Sequence, residues 1–316
     1  MPTSQAAPTM PPMTDKRTTS GDSADARGAS VEARYADVTR RVAEAAKRAG
    51  RKASDIILVA VTKTADPEQI RTLLRLGHRD FGENRVQVLQ QHAAIVEEYL
   101  ARQKLAPSVR RVSGDAATLF DASSVGLGAT PNLPGGSDGV RWHMIGHLQR
   151  NKVRKVVDFV RLIYSVDSLR LAEELQTLAL RRDQVYEVLL QVNCSGESQK
   201  YGCPLPAAIP LAEQIATMIN IRIRGLMTMA AEGDTPEQAR SAFSRCRELF
   251  EEMQGMRLGE GAPFNILSMG MSGDFEVAIS EGANIVRVGS AIFGHAPAGV
   301  EHVEAPEPDE EAPAEM

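Results

Sequence analysis

The 316 residues contain only three cysteines, Cys194, Cys203 and Cys246, and no two of them have C-x-x-C or metal-ligand spacing. That argues against a disulfide framework or a zinc site, and the thiols read as free in a reducing cytoplasm. Positive charge is not in excess: 36 Lys and Arg stand against 41 Asp and Glu, a net charge of -5. With no basic stripe, nothing points to nucleic acid as a partner. No apolar stretch approaches the roughly 20 residues that span a bilayer, so no membrane partner is expected. Residues 1–29 are rich in Pro, Thr, Ser, Ala and Gly and lack the apolar centre of a secretory signal. Asp15, Asp22 and Asp25 argue against a transit peptide in the same stretch. No G-x-G-x-x-G follows an early strand, which weakens a dinucleotide-binding reading.

The most informative feature present is a lysine at the end of a buried strand. Residues 56–61 form an unbroken apolar run, Ile-Ile-Leu-Val-Ala-Val, followed at once by Thr62 and Lys63. Such a run, rich in β-branched residues, reads as a strand covered on both faces. Asp66-Pro67-Glu68 is a helix start, with Asp66 as N-cap and Pro67 at the first helical position. Lys63 therefore sits in a strand-to-helix loop at the carboxyl end of a strand, where α/β folds carry their chemistry. A lysine held there is expected to be partly desolvated, with its amine available for Schiff-base formation.

The chain is long enough for one large domain. Three stretches bury too little apolar surface to offset chain entropy and are expected to be disordered. They are an N-terminal extension (1–29), a flexible insertion over about 101–139 whose part 113–139 is crowded with Gly, Ser, Asp and Pro, and an acidic tail (296–316). The remaining domain, 30–295, opens with an amphipathic helix carrying Val31, Tyr35, Val38 and Val42 at helical spacing. Strands are then expected at 56–62, 79–82, 142–145, 162–166, 187–192, 223–228, 265–269 and 285–288, alternating with helices. Thr235 is the expected N-cap of the helix after the sixth strand. Eight strands alternating with helices fit an α/β fold, a single closed (β/α)8 TIM barrel; an open doubly wound sheet is the alternative.

In a barrel, the strand ends would bring Lys63, Glu83, Asn84, His143, His147, Ser165, Asp167, Asn193, Met227, residues 268–274, Arg287, Gly289 and Ser290 to one rim. Met269-Gly270-Met271-Ser272-Gly273-Asp274 after the seventh strand and Gly289-Ser290 after the eighth suit a phosphate, through backbone amides and hydroxyls. Taken singly, Ser272 reads better as a helix cap and Gly289 as a simple turn; taken jointly, with a lysine on strand one, they favour a phosphate site. Arg287 should share a face with Gly289 and point into the barrel mouth. It would need an acceptor there, either a ring nitrogen of a bound heteroaromatic cofactor or a barrel carboxylate such as Glu83. His143 and His147 lack a carboxylate at metal-ligand spacing. His78, near a helix end, is expected to be solvated. Met227, Met229, Met269 and Met271 are expected to fill the barrel core or wall the pocket.

These residues resemble the pyridoxal-phosphate homeostasis protein family (the YggS and PROSC proteins). The marks are V-A-V-T-K ending at Lys63, F-G-E-N ending at Asn84, and W-H-M-I-G-H-L-Q-R-N-K from Trp142. V-N-C-S-G-E from Val192, G-L-M-T-M from Gly225, L-S-M-G-M-S-G-D from Leu267 and R-V-G-S-A-I-F-G from Arg287 follow in order. The resemblance implies a barrel of the alanine racemase N-terminal type. It implies that Lys63 holds pyridoxal 5'-phosphate as a Schiff base, with Ser272, Gly289 and Ser290 on the phosphate and Met271 nearby. Arg287 would face the pyridine nitrogen and Asn84 would line the ring. Gly273 departs from the family, standing where an acidic residue is common. The implied role is cofactor binding and intracellular vitamin B6 homeostasis, without established turnover. The protein would be a cytoplasmic monomer, and the recipients would be apo-enzymes that need the cofactor.

The rival is a pyridoxal-phosphate-dependent amino-acid racemase. Two-base racemisation needs a proton donor or acceptor on each side of the substrate. Lys63 could be one; in the racemase the second comes from a separate C-terminal domain, and only a short acidic tail follows Gly294. An arginine at the ring nitrogen cannot deliver a proton there, which disfavours carbanion chemistry.

Overall fold

The computed structural model describes residues 29–105, 139–197, 200–231, 233–256, 258 and 263–294. The expected tail, nearly all of the N-terminal extension and most of the insertion lie outside the described residues. The leading helix, α1 (Val31–Arg48), starts where Ser30 Oγ accepts from the Ala33 amide at 3.3 Å. Its apolar stripe, Val31, Val38, Val42, Ala45 and Ala46, is buried. Arg34 donates to the Ile292 carbonyl at 2.7 Å, tying α1 to the C-terminal end of the barrel.

The body alternates strand and helix. β1 (Ile57–Val61) leads to α2 (Pro67–Arg75), then β2 (Asp80–Glu83) to α3 (Val86–Leu105). β3 (Arg141–Met144) leads to α4 (Val153–Val156), β4 (Val160–Val166) to α5 (Leu169–Arg182), and β5 (Tyr186–Asn193) to α6 (Ala208–Ala216). β6 (Ile221–Met227), α7 (Pro236–Gln254), β7 (Ile266–Ser268), α8 (Phe275–Ser280), β8 (Ile285–Val288) and α9 (Ser290–Phe293) complete the order. A two-residue strand, Cys203–Pro204, pairs with the end of β5 and had no counterpart in the sequence reading. α3 runs through Leu105, so the first residues of the expected insertion are helical. Capping boxes start α2 at Asp66 and α7 at Thr235, as the sequence indicated.

All pairings are parallel, and the sheet runs β4-β3-β2-β1-β8-β7-β6-β5 before closing through β4–β5. The protein is thus a closed (β/α)8 barrel. Side chains alternate between barrel interior and the helix layer. Ile57, Val59, Leu162, Leu189, Met227, Ile266 and Ile285 pack inside. Phe81, Trp142, Met144, Val188, Leu190 and Val286 face the helices. Gly225 is required where β6 meets β7: its φ is +152°, and a Cβ there would collide with the Ile266 carbonyl oxygen.

The amino ends of the strands are closed by charge. Asp80 takes a bidentate pair from Arg141 at 2.7 and 2.6 Å, and His143 Nε2 lies 3.2 Å from the same carboxylate. Tyr164 Oη lies 3.3 Å from His143 Nδ1. Beside them, Glu187 meets Arg224 at 2.7 Å and Arg161 at 2.8 Å, and Arg224 also donates to Asn265 and the Pro263 carbonyl. Burial alone would raise the Asp80 pKa, but the bonds from Arg141 and His143 outweigh it and hold the carboxyl well below the usual range.

His78 corrects the sequence reading. It is buried, with Tyr35 Oη 3.1 Å from Nδ1 and the Asp80 carbonyl 2.7 Å from Nε2. Packing of α1 over the end of α2 covers a position that looks exposed when only its own helix is considered. Burial lowers the pKa of both His78 and His143 below the ordinary 6.5. A histidine kept neutral in the native state contributes stability above that value. The contribution is lost as the unfolded chain takes up protons below it. Stability should therefore fall between pH 7 and pH 5, by up to about 1.4 kcal/mol per pH unit for each site. Denaturant melts at the two pH values check this; a flat or rising stability would contradict it.

Candidate functional site

At the carboxyl ends of the strands lies a cavity of about 1250 Å³. Lys63, Asn84, Met271, Ser272, Arg287, Gly289 and Ser290 all line it. Strand order explains the convergence. β1 lies between β2 and β8, with Val61 opposite Gly82 and Val59 opposite Arg287. The Lys63 loop is therefore flanked by Asn84 on one side and Gly289 on the other, with the β7 loop one strand further on.

Lys63 stands two residues past β1 in a turn closed by the Ala65 amide on the Thr62 carbonyl at 2.9 Å. Its side chain is exposed, so the expected desolvation is not found. The turn lifts Lys63 beyond the strand end into the open mouth of the cavity, whereas Thr62 beside it is fully buried.

The loops after β7 and β8 are joined by one hydroxyl. Ser272 Oγ accepts from the Gly289 amide at 3.3 Å and from the Ala291 amide at 3.2 Å. Ser272 therefore does not cap α8; Asp274 holds the N-cap position, and its carboxylate accepts from the Met271 amide at 2.5 Å. With its lone pairs taken by two amides, the Ser272 hydroxyl keeps its proton for an acceptor. The Arg287 amide donates to the Gly270 carbonyl at 3.0 Å, which locks the two loops in register.

Arg287 projects inward and is 4% exposed. It donates to Ser268 Oγ at 2.6 Å and to the Thr228 carbonyl at 3.0 Å. Among the described residues no carboxylate pairs with it, and burial lowers its pKa from the ordinary value. Glu83, the carboxylate suggested as its partner, faces the other way, with Oε2 2.8 Å from Thr62 Oγ1 and Oε1 2.8 Å from the Asn84 amide. A buried guanidinium that donates only to neutral oxygens is suited to a neutral or anionic acceptor in the cavity.

The far wall is formed by residues the sequence reading did not single out for the site. Arg85, Gln191 and Tyr201 line it, and His147 stacks on Tyr201 with ring centroids 4.4 Å apart. Tyr201 belongs to the stretch that leads into Cys203–Pro204, an excursion from β5 that no periodicity marks. Met229 also walls the cavity, Met227 fills the barrel interior and Met269 the helix-facing core. Met271 lines the mouth and is 40% exposed. No group of three or more His, Cys, Asp or Glu among the described residues could hold a metal ion. No helix among them is long and apolar enough to cross a membrane.

The site and barrel define a class: residues 35–297 match the family model described as "Alanine racemase, N-terminal domain". The chain is also 34% identical over 250 residues to a pyridoxal phosphate homeostasis protein of Aquifex aeolicus, covering 78% of this chain and 90% of that one. It is 36% identical to the protein of the same name from Pseudomonas aeruginosa, covering 78% and 87%. Among solved structures, PipY of Synechococcus elongatus with pyridoxal phosphate bound is 28% identical. That match has a TM-score of 0.59 and covers 84% of this chain and all of PipY. The chain belongs to the pyridoxal phosphate homeostasis protein family.

Gly146 packs directly against the Asn84 backbone at the rim. A Cβ there would collide with the Asn84 carbonyl oxygen and lie 2.7 Å from the Asn84 Cα. Because the obstacle is backbone, Gly146→Ala should displace the Asn84 loop and destabilise the protein by about 1–3 kcal/mol. Denaturant melts check this; a loss below about 0.5 kcal/mol would contradict it.

Proposed function

We propose that this protein holds pyridoxal 5'-phosphate in the barrel-mouth cavity and takes part in intracellular homeostasis of that cofactor. The observation that carries the reading is the convergence on one cavity of a primary amine, a hydroxyl–amide junction and a buried guanidinium without a carboxylate. The donor set fits the group. When bound, the cofactor supplies an aldehyde that condenses reversibly with a primary amine, together with a phosphate and a pyridine nitrogen.

Lys63 supplies the amine from the cavity mouth. Ser272, Gly289 and Ser290 receive the phosphate, Ser272 donating a hydrogen bond through the hydroxyl hydrogen that its amide contacts leave free. Asn84 and Met271 border the ring. Arg287 donates toward the ring nitrogen. A guanidinium does not surrender its proton, so the nitrogen stays unprotonated and draws electrons weakly. That favours holding the cofactor over carbanion chemistry such as racemisation, and it agrees with relatives named as homeostasis proteins. The bound structure of PipY supports the choice of cofactor. In this reading the barrel, 30–295, is the binding domain, flanked by extensions at 1–29 and 296–316. The protein acts as a cytoplasmic monomer whose recipients are apo-enzymes that need the cofactor.

Adding pyridoxal phosphate to the purified protein should produce a visible absorbance band, and borohydride should fix the adduct on Lys63, as read by peptide mass spectrometry. Lys63→Ala should abolish the band yet change unfolding free energy by no more than about 0.5 kcal/mol, because it removes an exposed side chain and no core volume. A colourless protein, or an adduct fixed on a different lysine, would reject the reading.

A further inference from the structure

We infer that Glu83 is a positioning residue whose carboxylate, buried behind the sheet, holds Lys63 and Asn84 in a fixed relation across the mouth of the cavity. The inference rests on the cofactor-binding reading above. Gly82 faces the barrel interior, since a Cβ on it would meet Val59 and Ile145. By alternation Glu83 faces outward, under α3. It is fully buried and no lysine or arginine among the described residues pairs with it. Both of its oxygens are engaged instead.

Oε1 accepts from the Asn84 amide at 2.8 Å and lies 3.4 Å from the Arg85 amide. Oε2 accepts from the Thr62 hydroxyl at 2.8 Å, with His92 Nδ1 of α3 at 3.5 Å. Thr62 is the residue before Lys63, and Asn84 is the residue after Glu83. One rigid carboxylate thus bridges the backbone carrying the amine to the backbone carrying the ring contact. The Thr62 amide on the Gly82 carbonyl at 2.9 Å continues the β1–β2 ladder just beyond β1, so Glu83 takes over where the ladder ends. A buried carboxylate is costly unless every lone pair is used, and here its bonds are spent on two rim loops rather than on the core. Glu83, Thr62 and His92 do not line the cavity, whereas Lys63, Asn84 and Arg85 do, so Glu83 acts through its neighbours rather than by touching a ligand.

The chemistry separates geometry from charge. In Glu83→Gln the amide oxygen can still accept from Asn84, and the amide NH2 can donate to Thr62 Oγ1. The Thr62 hydroxyl would then turn to the Gly82 carbonyl, 3.2 Å away. Thr62→Val breaks the link on the Lys63 side alone, and Glu83→Ala breaks both sides. The full-length protein would be loaded with pyridoxal phosphate. Cofactor release into an excess of a trapping apo-enzyme would be timed, visible circular dichroism of the bound cofactor recorded, and thermal stability of the unloaded proteins compared. Thr62→Val and Glu83→Ala should release the cofactor on the order of tenfold faster and lose dichroic intensity, with Glu83→Gln restoring both toward wild type. Wild-type release and dichroism in the first two variants would overturn the inference. So would a Glu83→Gln variant as impaired as Glu83→Ala, since charge rather than placement would then be what matters. If Glu83→Ala does not fold, Thr62→Val decides alone. Failure of the wild-type protein to form an adduct would count against the cofactor reading itself, before any variant is made.

Discussion

The pairing of the first strand with the last is the constraint on which the rest of the structure depends. β1 and β8 align Ile57 with Ile285 and Val59 with Arg287, so residues from opposite ends of the sequence become neighbours. Without that closure the amine of Lys63 and the amides around Gly289 would have no common volume. The hydrogen bonds of Ser272 and of the Arg287 backbone then fix the adjoining β7 loop to β8. Four consecutive strands, β2-β1-β8-β7, thereby carry every group assigned to the cofactor.

Much of this was legible in the sequence because strands and caps obey local rules. The apolar run before Lys63, the Asp66-Pro67 start and the Thr235 cap each depend on residues within a few positions, and each element formed where expected. Side-chain alternation was enough to turn Arg287 into the barrel. It could not choose the acceptor, because Glu83 lies on the opposite face of β2, and a carboxylate's orientation follows from register rather than composition. His78 was misread for a related reason: its partners, Tyr35 and the Asp80 carbonyl, come from outside its own helix.

Lys63 shows the limit of reading burial from position. A strand end in an α/β barrel is usually enclosed, but the turn after Thr62 divides the pair, burying the threonine and exposing the lysine. Lys63 stands in the open mouth of the cavity, while the wall beside it encloses Thr62. Tyr201 was missed since the excursion between β5 and Cys203–Pro204 has no period of its own.

Asp80, Arg141, Glu187 and Arg224 close the amino end of the barrel beneath a packed interior, and the cavity lies at the opposite end, at the carboxyl rim of the strands. A molecule laid over the carboxyl rim would shield Lys63 and the loops after β7 and β8 from bulk water at once.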